Sequence, residues 1–365
     1  MKIVVACGGT GGHSFPGIAV AEELAARGHE VVVWSSGRAI ENSVMKRWQG
    51  TVFATGAKPL RPRYVFSLLC SFLRCRREMK RFRPDALVAM GSYSSLPPVL
   101  AARCCGVKVY LHEANTVPGK AVEFLSRFAE SVAISFKLTE KYLKDVKTVH
   151  TGLPVRADIA SGKRFGFIPP DSFTVFVTGG SQGAHAVNEL MTKALLSLDR
   201  EFKEKGKKLY VIHQTGAADE EAVKAAYAEA GVPHRVHAFE REMADAFASA
   251  DIVVARAGAS TCFELAICGK PAFLIPLPSA VRDHQHYNAE AFAASGAADE
   301  GIQAKLSSNQ VCRHLAMLAS RPERLKEMSE KINALATPAA AAAVADLVTG
   351  GIKGGEGAPS GDGGK

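Results

Sequence analysis

No C-x-x-C pair and no Cys/His knuckle occurs among the eight cysteines, Cys7, Cys70, Cys75, Cys104, Cys105, Cys262, Cys268 and Cys312. Scattered thiols of this kind argue for a reducing cytosol and against structural zinc. Nor does any apolar run approach the roughly 18 residues that a membrane span requires, which sets aside an integral membrane protein. The N-terminus offers Lys2 and only a few apolar residues before Gly8, so it reads as a first β-strand and not as a signal peptide. Acidic residues are nearly missing from one stretch, where Glu78 stands alone against Lys58, Arg61, Arg63, Arg74, Arg76, Arg77, Lys80, Arg81 and Arg83.

What is present describes an ordinary soluble chain of 365 residues, 47% hydrophobic and 22% charged, long enough for two domains that each bury a core. A formal charge of +9 favours an anionic partner. In the basic stretch, Val65, Phe66, Leu68, Leu69, Phe72, Leu73, Met79 and Phe82 recur at helical spacing. A packed helix with a solvated basic end accounts for part of this. Apolar first turns and arginine-dense last turns also suit a helix in the headgroup layer of an anionic bilayer, where each basic residue adds roughly 1 kcal/mol. Nucleic acid is the weaker partner, because Tyr64 and three phenylalanines are the stacking platforms on offer and they belong to the apolar face.

Lys2–Ala6 reads as a strand, CGGTGGHSFPG follows, and Ile18–Arg27 reads as a helix stopped by Gly28. Strand, glycine cluster and helix in that order let a phosphate or a sugar approach the backbone. Gly8, Gly9, Gly11 and Gly12 do not make G-x-G-x-x-G, and the strand Val31–Trp34 runs into Ser35 and Ser36 without the acidic residue that holds an adenosine ribose. A nicotinamide dehydrogenase is therefore disfavoured. His13 lies where the loop becomes helix and is either a helix-entry residue or a base. Further strands at Asp85–Met90, Val107–Leu111, Val132–Ile134 and Thr148–His150 alternate with helices, one opening near Pro97, and His112, Glu113 and Asn115 fall in a loop. Gly152-Leu153-Pro154-Val155-Arg156 reads as the hinge, with Arg156 either a surface charge or an anion clamp.

The second half repeats the plan with a strand Phe173–Thr178, a glycine loop GGSQGAH and a helix Ala186–Leu198. A strand Leu209–His213 ends in HQTG, and Val236–Phe239 leads to Glu240 and Met243 before another helix. One plan used twice implies two similar α/β domains of parallel sheet facing a cleft. The chain then carries a strand Asp251–Ala255, a helix Thr261–Cys268, a strand Ala272–Leu277 and a polar loop Ser279–Asn288 holding Asp283, His284, Gln285 and His286. Thr261 and Glu264 have the spacing of a capping box. The sharper alternative is that this helix start faces a diphosphate while Glu264 accepts from sugar hydroxyls. Thr337 and Pro338 suit the cap and first position of an alanine-rich helix from Ala339, and Gly350–Lys365 reads as a disordered tail.

In this order GGTGGHSFPG, HEAN at His112–Asn115, GLPVR, GGSQGA, HQTG and the RAGAS…E…DHQ run ending at Asn288 resemble the MurG family of glycosyltransferases over nearly the whole chain except the tail. The family's usual GGY, HEQN, GNPVR and RSGA stand here as GSY, HEAN, GLPVR and RAGA. The resemblance implies a GT-B fold of two Rossmann-like, doubly wound parallel-sheet domains, an acceptor and membrane-associating domain over 1–155 and a donor domain over 156–337. The helix at about 338–349 would pack back on the first domain. It also implies transfer of N-acetylglucosamine from its UDP donor to the 4-hydroxyl of a lipid-linked muramyl-pentapeptide, with inversion and with no cofactor or metal. The donor residues it implies are Thr10, Gly11, Gly12, Asn115, Arg156, Ser181, Gln182, Glu240, Met243, Ser260, Thr261, Glu264 and Gln285. His13, Tyr93, His112 and Asn115 would line the acceptor side, with His13 as the base. Val65, Phe66, Leu69, Phe72, Leu73, Arg76, Arg77 and Lys80 would face the inner surface of the cytoplasmic membrane, with no nucleic acid among the partners.

Overall fold

The computed structural model describes residues 1–9, 11–38, 41–59 and 64–350, at residues 42 and 43 as backbone alone. Thr10, Arg61, Arg63 and the tail beyond Gly350 lie outside the described residues. Short runs rich in Val, Ile and Phe, buried on both faces, form two parallel sheets. The first uses β1 (Lys2–Ala6), β2 (Glu30–Ser35), β3 (Val52–Ala54), β4 (Ala86–Ala89), β5 (Lys108–Glu113), β6 (Ser131–Ile134) and β7 (Thr148–His150), in the order β3-β2-β1-β4-β5-β6-β7. Between the strands run α1 (Gly11–Ala26), α2 (Asn42–Met45), α3 (Val65–Phe82), α4 (Leu96–Cys104) and α5 (Lys120–Leu125).

The second sheet uses β8 (Ser172–Thr178), β9 (Lys208–Gln214), β10 (His234–His237), β11 (Ile252–Ala255), β12 (Ala272–Leu274) and β13 (Ala298–Glu300), in the order β10-β9-β8-β11-β12-β13. Its helices are α6 (His185–Glu204), α7 (Glu220–Glu229), α8 (Met243–Ser249), α9 (Ala259–Ile267), α10 (His284–Ala293), α11 (Ser308–Ala319) and α12 (Pro322–Asn333). In both sheets the chain reverses its winding direction, between β1 and β4 and between β8 and β11, and each reversal opens a crevice at the carboxyl ends of the strands. The two crevices face each other. Phe136, from the loop after β6, wedges its ring against Phe263 at 5.1 Å and Phe292 at 6.2 Å in the second lobe.

The last helix of the described residues, α13 (Ala340–Thr349), puts Val344, Leu347 and Val348 into the core of the first sheet, and its Asp346 pairs with Arg27, just after α1. Its N-cap is Ala339, so Thr337 supplies a carbonyl to Ala340 N (3.0 Å) and not the expected side-chain cap. Two other expectations are corrected. Helix α1 begins at Gly11 and not near Ile18; Pro16 lies inside it, in the second turn, and has no N–H to give the carbonyl of Gly12. The expected loop Ser279–Asn288 becomes α10 from His284 onward, anchored by buried Asn288, Ala289 and Phe292.

Helix α3 is held to the first lobe by Ser71, Cys75 and Met79, a buried stripe at four-residue intervals. Val65, Phe66, Leu69 and Leu73 stay 51–78% exposed, a contiguous apolar face. Phe72, expected on that face, instead packs half-buried against the core.

Candidate active site

A cavity of about 360 Å³ lies between the lobes, walled by loops that leave the carboxyl ends of β5, β8, β9, β10 and β11 and by the start of α1. The first lobe contributes Gly11, Gly12, His13, Phe15, Ala114 and Asn115, and the hinge contributes Arg156. The second contributes Thr178, Gly179, Gly180, Ser181 and Gln182, then Gln214, Phe239, Glu240, Met243, Phe247, the first turn of α9 with Glu264, and His284. Helix starts from both lobes therefore look into one space. Ser260 Oγ comes within 3.5 Å of the Gly12 carbonyl across the gap, the same carbonyl that Pro16 leaves without its helical donor.

The N-cap of α9 is Gly258, which has no side chain to cap the helix. Its first-turn amides consequently keep their positive end toward the cavity. This also moves Thr261 off the N-cap, so the capping box with Glu264 does not form. Glu264 turns instead to the hinge: Arg156 Nε and Nη2 donate to its Oε1 at 3.3 and 3.1 Å, and the guanidinium lies 5.1 Å from the Phe15 ring centroid. Burial pushes the Glu264 carboxyl up from its ordinary range, and the Arg156 charge opposes that shift.

His13 Nδ1 is 2.8 Å from the Met90 carbonyl. A carbonyl only accepts, so Nδ1 carries the proton and Nε2 is left as the ring's acceptor. Burial lowers the pKa of this imidazole, and the nearby His284 lowers it further. A neutral ring with a fixed tautomer suits it to take a proton from a hydroxyl in the cavity.

Several side chains that sequence reading left without a role hold these loops in place. The buried Glu41 accepts from the amides of Gly9 (2.7 Å), Ser36 (2.9 Å) and Gly37 (3.3 Å) and from the Ser36 hydroxyl. Gly9 has φ +125°, a backbone that favours glycine. Glu113 accepts from Asn115 N and Gly119 N at 2.9 Å each, which shapes the HEAN loop. Asn288 crosses the lobes, accepting from Thr116 N (2.9 Å) and donating to Asn115 Oδ1 and the Ala257 carbonyl (3.1 Å each). Gly183 has φ +75°, and a Cβ there would stand 1.9 Å from the Thr215 carbonyl, so the glycine loop presses directly on the HQTG turn. His284 enters the cavity as well; its place in a polar run was the one signal for it.

Of the residues expected in the site, Gly11, Gly12, His13, Asn115, Arg156, Ser181, Gln182, Glu240, Met243, Ser260, Thr261 and Glu264 converge on the cavity. Gln285, Tyr93 and His112 do not line it. Gln285 Oε1 accepts from Leu277 N at 3.0 Å, tying α10 to the loop that follows β12. The Tyr93 hydroxyl is 3.3 Å from Arg38 Nη1. His112 is buried at the hinge with Nε2 3.2 Å from the Gly152 carbonyl, and burial pushes its pKa down to about 4. Glu240 lines the cavity, yet its carboxylate is taken by Arg235 at 2.8 and 3.0 Å and its amide by Gln214 at 2.9 Å.

Two doubly wound parallel sheets facing a cleft that is lined by helix starts, a neutral histidine and a buried carboxylate make a GT-B architecture. Residues 3–134 match the glycosyltransferase family 28 N-terminal domain and residues 174–345 its C-terminal domain. The chain is 38% identical over 360 residues to the UDP-N-acetylglucosamine--N-acetylmuramyl-(pentapeptide) pyrophosphoryl-undecaprenol N-acetylglucosamine transferase of Geobacter metallireducens, covering 95% of this chain and 97% of that protein. It is 37% identical over 356 residues to the protein of the same description from Myxococcus xanthus, covering 95% and 92%. The crystal structure of Acinetobacter baumannii MurG superimposes with a TM-score of 0.76 at 32% identity over 96% of this chain and 99% of that one. UDP-GlcNAc 2-epimerase from Neisseria meningitidis shares the fold, with a TM-score of 0.73 at 13% identity over 96% of this chain and all of that one. The chain belongs to glycosyltransferase family 28 and, within it, to the MurG family.

Proposed function

We infer that this chain moves N-acetylglucosamine from UDP-N-acetylglucosamine to the 4-hydroxyl of a lipid-linked N-acetylmuramyl-pentapeptide, with inversion at the sugar carbon, in peptidoglycan assembly. The observation that carries the reading is the convergence on one cavity of the uncapped start of α9, the 179–182 loop and the His13 imidazole with its free acceptor nitrogen. Full-length similarity to relatives of that described activity supports it.

The acceptor oxygen forms a bond to the anomeric carbon while the bond from that carbon to the UDP oxygen breaks. His13 Nε2 takes the hydroxyl proton. The electron pair leaves with UDP, and its negative charge meets the α9 and loop amides and the Arg156 guanidinium. Ribose hydroxyls engage Glu264, which releases part of Arg156 toward the diphosphate. The acceptor approaches from the first lobe, past His13 and Asn115.

The exposed face of α3, with Arg77, Lys80 and Arg81 beyond it, is suited to lie on an anionic bilayer at the cytoplasmic surface of the inner membrane. No helix among the described residues is long and apolar enough to cross a membrane. The test of the transfer reading is UDP release from UDP-N-acetylglucosamine with and without a lipid-linked muramyl acceptor. Release that depends on the acceptor is expected, and release at the same rate without it would overturn the reading.

A further inference from the structure

The two loops of the second lobe that wall the cavity are tied together by one side chain. Strand β9 lies between β8 and β10, and its last residue, Gln214, is in register with Thr178 on one side and His237 on the other. The side chain is 1% exposed. Its Nε2 donates to the Gly180 carbonyl at 2.8 Å and to Thr178 Oγ1 at 3.1 Å, and its Oε1 accepts from Glu240 N at 2.9 Å. The orientation of the amide is fixed by its neighbours, because a flipped amide would set its oxygen against the Gly180 carbonyl and its NH2 against the Glu240 N–H. Thr178 Oγ1 in turn accepts from Gly180 N at 3.1 Å, so Gly180 is held at both its N–H and its C=O.

Gly180 begins the turn that carries Ser181 and Gln182 into the cavity lining, and Glu240 belongs to the adjoining 239–243 wall. The separation of these walls therefore depends on the length and hydrogen bonding of Gln214. We propose that Gln214 is a positioning residue that sets the spacing between a nucleobase-facing loop and a diphosphate-facing loop, so that the second lobe measures a nucleoside diphosphate. The proposal rests on the UDP-sugar reading given above. It needs no direct contact between Gln214 and the donor.

The test is calorimetric titration of uridine, UMP and UDP into the full chain and into Gln214→Glu, Gln214→Leu and Thr178→Val. Gln214→Glu keeps the size and the acceptor for Glu240 N but removes both donors. Gln214→Leu removes all three ties without adding a charge, and Thr178→Val removes one of them together with the bond from Gly180 N to Thr178 Oγ1. For a fixed spacing, uridine affinity stays within about threefold while UDP binds at least roughly tenfold more weakly in the Gln214 variants, with a smaller loss in Thr178→Val. The KM for UDP-N-acetylglucosamine rises in parallel, and kcat at saturating donor stays within about threefold. Equal fractional losses for uridine and UDP, or an unchanged UDP affinity in any variant that melts as a folded protein, would overturn the proposal. A wild-type chain that fails to bind UDP would instead overturn the donor reading beneath it.

Discussion

His13 holds its proton on Nδ1 against the Met90 carbonyl, and every consequence for catalysis starts from that bond. Replacing His13 with alanine is expected to cut turnover on the order of 100-fold or more while UDP affinity is largely retained; near-normal turnover in steady-state assay would remove the residue from the role of base. The pH dependence has a definite sign. Burial holds this pKa below the ordinary 6.5, so the neutral, proton-accepting form persists below neutrality and activity is lost as the pH falls through a value under 6.5. A profile of kcat/KM against pH with its acidic midpoint at or above 6.5 would contradict burial as the controlling cause. At this scale the sequence showed which residue types could do chemistry, but not which ones hold them. Gln214 acts on partners 26 to 36 residues away, Glu41 joins Gly9, 32 residues away, to Ser36 and Gly37 beside it, and Asn288 acts on partners up to 173 away.

Among the elements, α3 carries the sharpest consequence of side-chain placement. Serine at Val65, Phe66, Leu69 and Leu73 is expected to weaken binding to anionic vesicles by roughly tenfold or more, since each buried methylene is worth about 0.8 kcal/mol. Turnover of a soluble acceptor analogue should be unaffected; vesicle sedimentation that shows unchanged binding would sink the membrane assignment. Phe72 is left out of this set because its ring is committed to the core. The strands were legible in the sequence because their β-branched runs are buried on both faces, as in EVVVWS and SFTVFVT. Helix α1 was only partly legible, because Pro16 and the glycines that disfavour helix in isolation are accommodated in its first turns by packing on β1 and by Ser14 Oγ donating to the Cys7 carbonyl. Helix α10 was missed since its first turn is polar and starts from Asp283 in a left-handed conformation, with its anchor, Asn288, satisfied by the other lobe.

For the molecule as a whole, the relation between the lobes decides whether a site exists. It is set by Phe136 lodged beside Phe263 and Phe292, by the Asn288 clasp and by the surface pairs Arg47–Asp158 and Arg282–Glu123. The exposed pairs contribute little, so the ring and the clasp dominate. Phe136→Ala is expected to destabilise the chain by roughly 3 to 5 kcal/mol in denaturant unfolding, and to increase the radius of gyration in small-angle scattering; an unchanged radius in a measurably destabilised variant would show that the wedge does not govern closure. The two-lobed plan itself could be read from the repetition of strand, glycine loop and helix, whereas the facing of the lobes rests on contacts between residues more than a hundred positions apart. On the proposed function, a UDP-sugar lies in this cleft against peptide dipoles of the second lobe. Hydrogen exchange measured with and without UDP-N-acetylglucosamine tests this most directly. Slowed exchange concentrated at residues 179–182, 239–243 and 258–264 is the expected result, and slowed exchange elsewhere with these three segments unchanged would contradict it.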